Sequence, residues 1–172
     1  MALVVQKEFV RVESTKDEEA IMAVKAIPEG YHSITPYLVC QGAAKAIEYY
    51  TKVFGAKEFV RMPGPEGRIM HAEIKIGDSN VMLADENPDR GAVAPSGTGR
   101  SMSIMFYTND VDAVFTRAVE AGAKSIEAPA DMFWGDRMGH LMDPFGHQWA
   151  IATHKEDVTP DEMEKRMAAI GT

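Results

Sequence analysis

Two histidines and a glutamate are the side chains of this 172-residue sequence best suited to chemistry. His71 and Glu73 alternate with Ala72 and Ile74, so on a strand they share one face. His140 stands in a similar setting further on, and Arg68-x-x-His71 recurs as Arg137-x-x-His140. Imidazoles and a carboxylate brought together could bind a small molecule, move a proton, or hold a divalent ion. Each arginine lies three residues from its histidine, so without a bulge it points to the opposite face. Arg137 beside Asp136 has two readings, a loop-fixing ion pair and an anion hook. Trp134, in Phe133-Trp134-Gly135-Asp136, is placed to stack on an aromatic or cationic ligand. Trp149 alternates with Ala150 and reads as helix-side core. His154 and Cys40 have nothing near them in sequence that would activate them. Of the 12 methionines, Met102, Met105, Met132, Met138 and Met142 cluster late in the chain, which suits core filling or adaptable packing around a ligand.

The elements that must position these residues can be read from periodicity. Thr35 to Cys40 is a β-prone apolar run. Ala43, Ala46, Ile47, Tyr50, Val53 and Phe54 then recur at helical spacing, and Gly55 follows where a left-handed cap is expected. Glu58 to Met62 reads as a strand, Arg68 to Ile76 alternates cleanly, Gly77 to Asn80 is a hairpin turn, and Val81 to Asp85 closes the unit. The order is β-α-β-β-β. It returns as Ser103–Thr108, a helix capped by Asp110 and ended by Gly122, Ser125–Ala128, Met138–Met142 and Trp149–Thr153. Asp143-Pro144-Phe145-Gly146 suits a type I turn. Gly55-Ala56-Lys57 recurs as Gly122-Ala123-Lys124, which marks an internal repeat. Two such units are marginal alone. Paired, they make an α+β domain, an incomplete eight-stranded barrel with helices outside and a cup inside. The chain therefore divides into an N-terminal extension (1–34), a first module (35–87), a linker (88–101), a second module (102–154) and a tail (155–172). Thr159-Pro160-Asp161-Glu162 is a capping box that predicts a tail helix docked on the body or on a second subunit.

Ala46 to Gly55, the repeated β-α-β-β-β order and Asp143-Pro144-Phe145-Gly146-His147-x-Trp149 resemble the vicinal oxygen chelate superfamily. That group includes glyoxalase I, bleomycin-resistance proteins, fosfomycin-modifying enzymes and extradiol dioxygenases. With Trp134-Gly135-Asp136-Arg137 added, the resemblance is strongest to its PhnB-like branch and covers about residues 35–157. It implies a cup in which each module's first and last strands supply ligands to a divalent metal. Carried onto this sequence, those positions are Thr35, Val81 or Leu83, Ser103 and Ala150, none a His, Asp or Glu. A glyoxalase-type metal site is therefore not expected, and no cofactor is predicted.

By alternation, the cup receives Thr35, Tyr37 and Val39 from the first strand, and Ser103, Met105 and Tyr107 from the fifth. His71, Glu73 and His140 join them, with Trp134 and Arg137 as further candidate ligand contacts. Three readings follow. In the first, the protein binds a small organic molecule without a metal, as in resistance by sequestration. In the second, it is a metal-dependent lyase or isomerase using a displaced site of His71, Glu73 and His140. In the third, it is a structural or regulatory dimer with a vestigial cup. The resemblance also implies a homodimer. Composition narrows the field further. Lys plus Arg is 18 against 26 Asp plus Glu, a net charge of −8 with no basic cluster, so nucleic acid is not an expected partner. No apolar run reaches the ~20 residues of a membrane span. One cysteine excludes an internal disulfide, and the charged start is unlike a signal peptide, so a cytoplasmic location is expected. Glu13, Asp17, Glu18 and Glu19 on the leading extension and Asp161, Glu162 and Glu164 on the tail lie well outside the modules, which weakens the case that the acidity serves a cationic ligand.

Overall fold

The computed structural model describes residues 26–97 and 102–170. Residues 1–25 of the N-terminal extension lie outside these described residues. The first module comprises β1 (Tyr37–Cys40), α1 (Ala43–Phe54), β2 (Lys57–Pro63), β3 (Ile69–Ile76) and β4 (Ser79–Asp85). The second comprises β5 (Ile104–Tyr107), α2 (Val111–Glu120), β6 (Lys124–Asp131), β7 (Asp136–Met142) and β8 (Gln148–His154). A last helix, α3 (Pro160–Ile170), follows.

The eight strands divide into two four-stranded sheets, ordered β1-β4-β3-β2 and β5-β8-β7-β6. In each, the first and last strands run parallel and the rest antiparallel. The fold is thus the expected tandem of β-α-β-β-β modules, but within one chain the two sheets do not face each other across a common cup: no ladder joins them among the described residues, and it is their helix-covered faces that meet in the core. The first ladder begins at Tyr37 rather than Thr35, since Pro36 between them has no N–H to donate. β6 runs longer than predicted. It tolerates Pro129 because it is an edge strand whose register with β7 is irregular between Glu127 and Ala130.

Each helix starts on a side chain from the last strand of its own module. The Asp85 carboxylate accepts from the N–H groups of Gly42 and Ala43 at 3.0 and 2.8 Å. Thr153 Oγ1 accepts from Val111 N at 2.9 Å, and Asp110 caps the same helix through Ala113 N at 3.0 Å. At its other end α1 stops at Gly55, whose φ of 68° is the left-handed cap the sequence predicts.

The two modules share one hydrophobic core through their helix-covered faces. It holds Ile47, Tyr50, Val53, Phe54, Ile74 and Leu83 of the first with Phe115, Leu141, Trp149 and Ile151 of the second. Trp149 is 1% exposed, as alternation requires, and its ring lies 4.5 Å from that of Phe54. Arg117 Nε and Nη2 donate to Val53 O at 2.9 and 2.7 Å, tying α2 to the end of α1. At the centre of the junction is Asp143. One of its oxygens accepts from Tyr50 Oη at 2.7 Å and Trp149 Nε1 at 3.0 Å. The other accepts from the N–H groups of Phe145 and His147 at 2.9 and 2.8 Å. Burial alone would raise the Asp143 pKa, but hydrogen bonds from His147, Tyr50 and Trp149 outweigh it and hold the carboxyl below its usual range.

The tail helix docks on the second module. Arg166 donates to Phe133 O at 3.4 Å and pairs with Glu156 and Glu162. The N-cap half of its capping box is in place, with Thr159 Oγ1 accepting from Glu162 N at 3.3 Å, while the Glu162 carboxylate pairs with Arg166. No described helix is long and apolar enough to cross a membrane.

Candidate functional site

The faces opposite the shared core carry the candidate residues. On the first sheet, Tyr37 Oη lies 3.0 Å from His71 Nδ1, and His71 Nε2 lies 3.0 Å from Glu73 Oε1. One proton arrangement satisfies both contacts: Nε2–H donates to the carboxylate and Nδ1 accepts from the phenol. Exposure falls along the chain of three, from a half-exposed Tyr37 to a buried Glu73. Burial raises the Tyr37 pKa, so the phenol is a proton donor at neutral pH. The second Glu73 oxygen is buried without a hydrogen-bond partner. Thr35 and Met82 line a pocket of about 480 Å³ with Glu73.

The second sheet presents a different surface. Met138, Ala150 and Ala152 form an apolar floor against which Met132 and Trp134 pack. Buried Asp136 organises the rim. It accepts from Tyr107 Oη at 3.0 Å and Trp134 Nε1 at 3.2 Å, and its other oxygen contacts His154 Nδ1 at 2.8 Å. Burial opposes ionisation of Asp136, but these hydrogen bonds prevail and its pKa falls. The His154 pKa rises, through Asp136 and then Asp157. Gly135 is required here. Its φ is 99°, and a Cβ would lie 2.2 Å from Glu156 O, which belongs to the segment whose Lys155 and Glu156 N–H groups donate to Gly135 O. His140 pairs with Glu127 at 2.9 Å, Met105 and Tyr107 are about half exposed, and Ser103 is exposed.

Three sequence expectations change. First, His71 and His140 are not equivalent. The parallel pairs Tyr37–Met82 and Met105–Ala150 align the modules, and Glu73 faces Met82 as His140 faces Ala150. Glu73, not His71, is the structural counterpart of His140, and no described contact joins His71 to His140. Second, Arg137 does not pair with Asp136. It bonds Asp112 at 2.8 Å and Asp131 at 3.2 Å, on the α2 side of its strand, where alternation without a bulge puts it. That commitment takes it away from the open face. Third, Val81 and Leu83 are core residues, so the last-strand position of the first module that faces outward is Met82. The role of Asp136 with His154 went unread. The signal was alternation itself, which sets His154 on the same face as Ala150 and Ala152 and opposite Asp136 in the ladder.

The metal positions implied by the fold are therefore Thr35, Met82, Ser103 and Ala150. A thioether, two hydroxyls and a methyl do not fit a borderline divalent ion, which needs imidazole, carboxylate or thiolate. Among the described residues, no three His, Cys, Asp or Glu side chains converge to replace them.

Residues 30–151 match the Glyoxalase/Bleomycin resistance protein/Dioxygenase superfamily, and the chain belongs to it. The uncharacterized protein Mb0911c of Mycobacterium bovis is 38% identical over 154 residues, spanning 87% of this chain and 99% of its own. Among solved structures, TioX from Micromonospora sp. ML1 matches at 26% identity with a TM-score of 0.57, over 70% of this chain and 97% of TioX. The PhnB protein from Bacillus cereus, titled a putative 3-demethylubiquinone-9 3-methyltransferase, shares the fold. It matches with a TM-score of 0.57 at 19% identity, over 71% of this chain and 99% of its own.

Proposed function

We propose that the protein binds a small organic molecule between the open face of one module and that of a second copy of the chain, without a glyoxalase-type metal. The observation that carries this reading is the placement of the two faces. The helix-covered sides of both sheets are consumed by one common core, which leaves Tyr37, His71 and Glu73 outside it on one sheet and Met105, Tyr107 and Trp134 on the other. Exposed Tyr37, Met70, Met105 and Tyr107 are the kind of apolar and aromatic surface that a partner or ligand covers. A second copy related by a two-fold axis would bring the hydrogen-bonding face of each chain against the apolar floor of the other, giving cups with few polar groups and apolar walls. The donor chemistry of Thr35, Met82, Ser103 and Ala150 supports the metal-free part of the reading.

Elemental analysis tests that part. Purified protein is expected to hold no stoichiometric Zn, Ni, Mn or Fe after exposure to these ions and desalting. One tightly held ion per chain, lost in His71→Ala, would instead favour the metal-dependent lyase or isomerase.

A further inference from the structure

We propose that the open face of the first module carries an organic-anion subsite, with Arg68 and Arg90 taking a carboxylate and Tyr37 taking a hydroxyl at the other end of the same ligand. The proposal rests on the small-molecule reading above and names the ligand class for that face.

A pocket of about 620 Å³ lies against this face, and Arg68, Arg90 and Tyr37 all line it, with Val39, Met70 and Ala84 as apolar wall; the register shift between Met62 and Pro63 is the bulge that brings Arg68 here, against unbroken alternation. These two arginines differ from the others in the described structure. Arg61, Arg137 and Arg166 are each neutralised by a carboxylate, and Arg117 spends two N–H groups on Val53 O. Arg68 donates only to the neutral carbonyl of Glu86, and Arg90 has no side-chain partner among the described residues. Two unneutralised guanidinium groups beside one pocket are suited to a carboxylate, which they can bind through charge-assisted hydrogen bonds.

The acidic residues of the pocket do not cancel this charge equally. Asp85 is committed: one oxygen accepts from Gly42 N and Ala43 N, and the other from Ile69 N at 2.7 Å. Glu66 is the remaining carboxylate on the lining, so its removal should strengthen an anion's binding. At the Tyr37 end, the phenol is backed by His71 and then by Glu73. A ligand hydroxyl there can donate to or accept from the phenol oxygen while His71 adjusts. The acidity of the whole chain pointed weakly to a cationic ligand, whereas the groups around this pocket favour the opposite sign.

The test is calorimetric titration of the full chain with 4-hydroxybenzoate, benzoate and benzamidine. 4-Hydroxybenzoate is expected to bind best. Arg90→Ala and Arg68→Ala should each weaken it by about tenfold or more, as loss of a charge-assisted hydrogen bond does. Glu66→Gln should tighten it, and Tyr37→Phe should erase the preference over benzoate. Arg90→Ala removes no side-chain hydrogen bond or ion pair among the described residues, which separates its result from a folding defect. Binding of 4-hydroxybenzoate that is unchanged in the Arg68→Ala/Arg90→Ala double variant overturns the subsite. Preference for benzamidine overturns the anion assignment while leaving a ligand-binding face. Failure of all three probes at millimolar concentration overturns the subsite too. In that event, a co-purifying molecule detected in the intact protein would show that the small-molecule reading survives.

Discussion

Asp143→Ala is expected to destabilise the protein by about 3–5 kcal/mol, the usual cost of removing one partner from a buried charged network. Asp143 is 3% exposed, and its carboxylate satisfies four donors, from Tyr50, Trp149 and the backbone of Phe145 and His147. Its loss leaves a buried phenol and a buried indole N–H without their acceptor, at the seam where the first module's helix meets the second module's last hairpin. For a chain of this length, thermal unfolding should move down by roughly 10 °C or more. Asp143→Asn keeps the shape and one acceptor oxygen and should fall between the two. The pH dependence follows from the depressed pKa. A carboxylate that ionises more readily in the folded state adds stability that is complete above the ordinary Asp range, near 3.8, and is lost as pH falls through its lower folded value. Acid titration of stability should therefore steepen below pH 3.8 in the native protein and not in Asp143→Ala. An Asp143→Ala melting point within a degree or two of the native one would remove this residue from the centre of the junction.

Met105→Glu is expected to dissociate the proposed dimer while leaving each chain folded. Met105 projects from the edge strand β5 on the open face and is 47% exposed, so a carboxylate there is solvated in the single chain. In the dimer the same carboxylate would be desolvated on the apolar floor of the cup. A charge desolvated at an interface costs about 2–5 kcal/mol, so dimerisation should weaken by roughly a hundredfold. Sedimentation equilibrium measures this directly. A Met105→Glu protein that dimerises as tightly as the native chain would place the interface elsewhere.

Much of the fold was legible because local and tertiary demands agree along most of the chain. The helical stripe from Ala43 to Phe54, the Gly55 cap, the Asp110 cap and the inward Trp149 are all consequences of periodicity and capping chemistry that survive packing. The pairing of the modules was harder to read. Arg68-x-x-His71 and Arg137-x-x-His140 match in sequence, but the hairpins that follow differ in length. Ile76 faces Ser79 across a tight turn, whereas Met142 faces Gln148 across a longer one built on Asp143. Matching Arg68-x-x-His71 to Arg137-x-x-His140 therefore slides one ladder against the other and makes two histidines look equivalent when Glu73 and His140 are.

Asp143 shows a second limit. As the first residue of Asp-Pro-Phe-Gly it reads as turn chemistry, which is correct but incomplete. Its bonds to Tyr50 and Trp149 depend on a helix far away in sequence, and no local pattern encodes them. The same holds for Asp136, read as a partner for its neighbour Arg137 and found instead beneath Tyr107, Trp134 and His154. In both cases an acid near a turn proved to be a buried acceptor that assembles aromatic side chains. The open faces were identified by alternation, whereas their separation by a shared core follows from how α1 packs against both modules.

In the proposed assembly, two copies of this chain enclose a small molecule between unlike faces, with no metal at the positions where the fold would place one. Native mass spectrometry of the intact protein, reporting subunit number, bound metal and bound organic molecule together, tests it most directly. The predicted result is a metal-free dimer that carries, or takes up, a small organic molecule and loses it together with the dimer in Met105→Glu. A monomer that binds the same molecule, or a species with one divalent ion per chain, would contradict it.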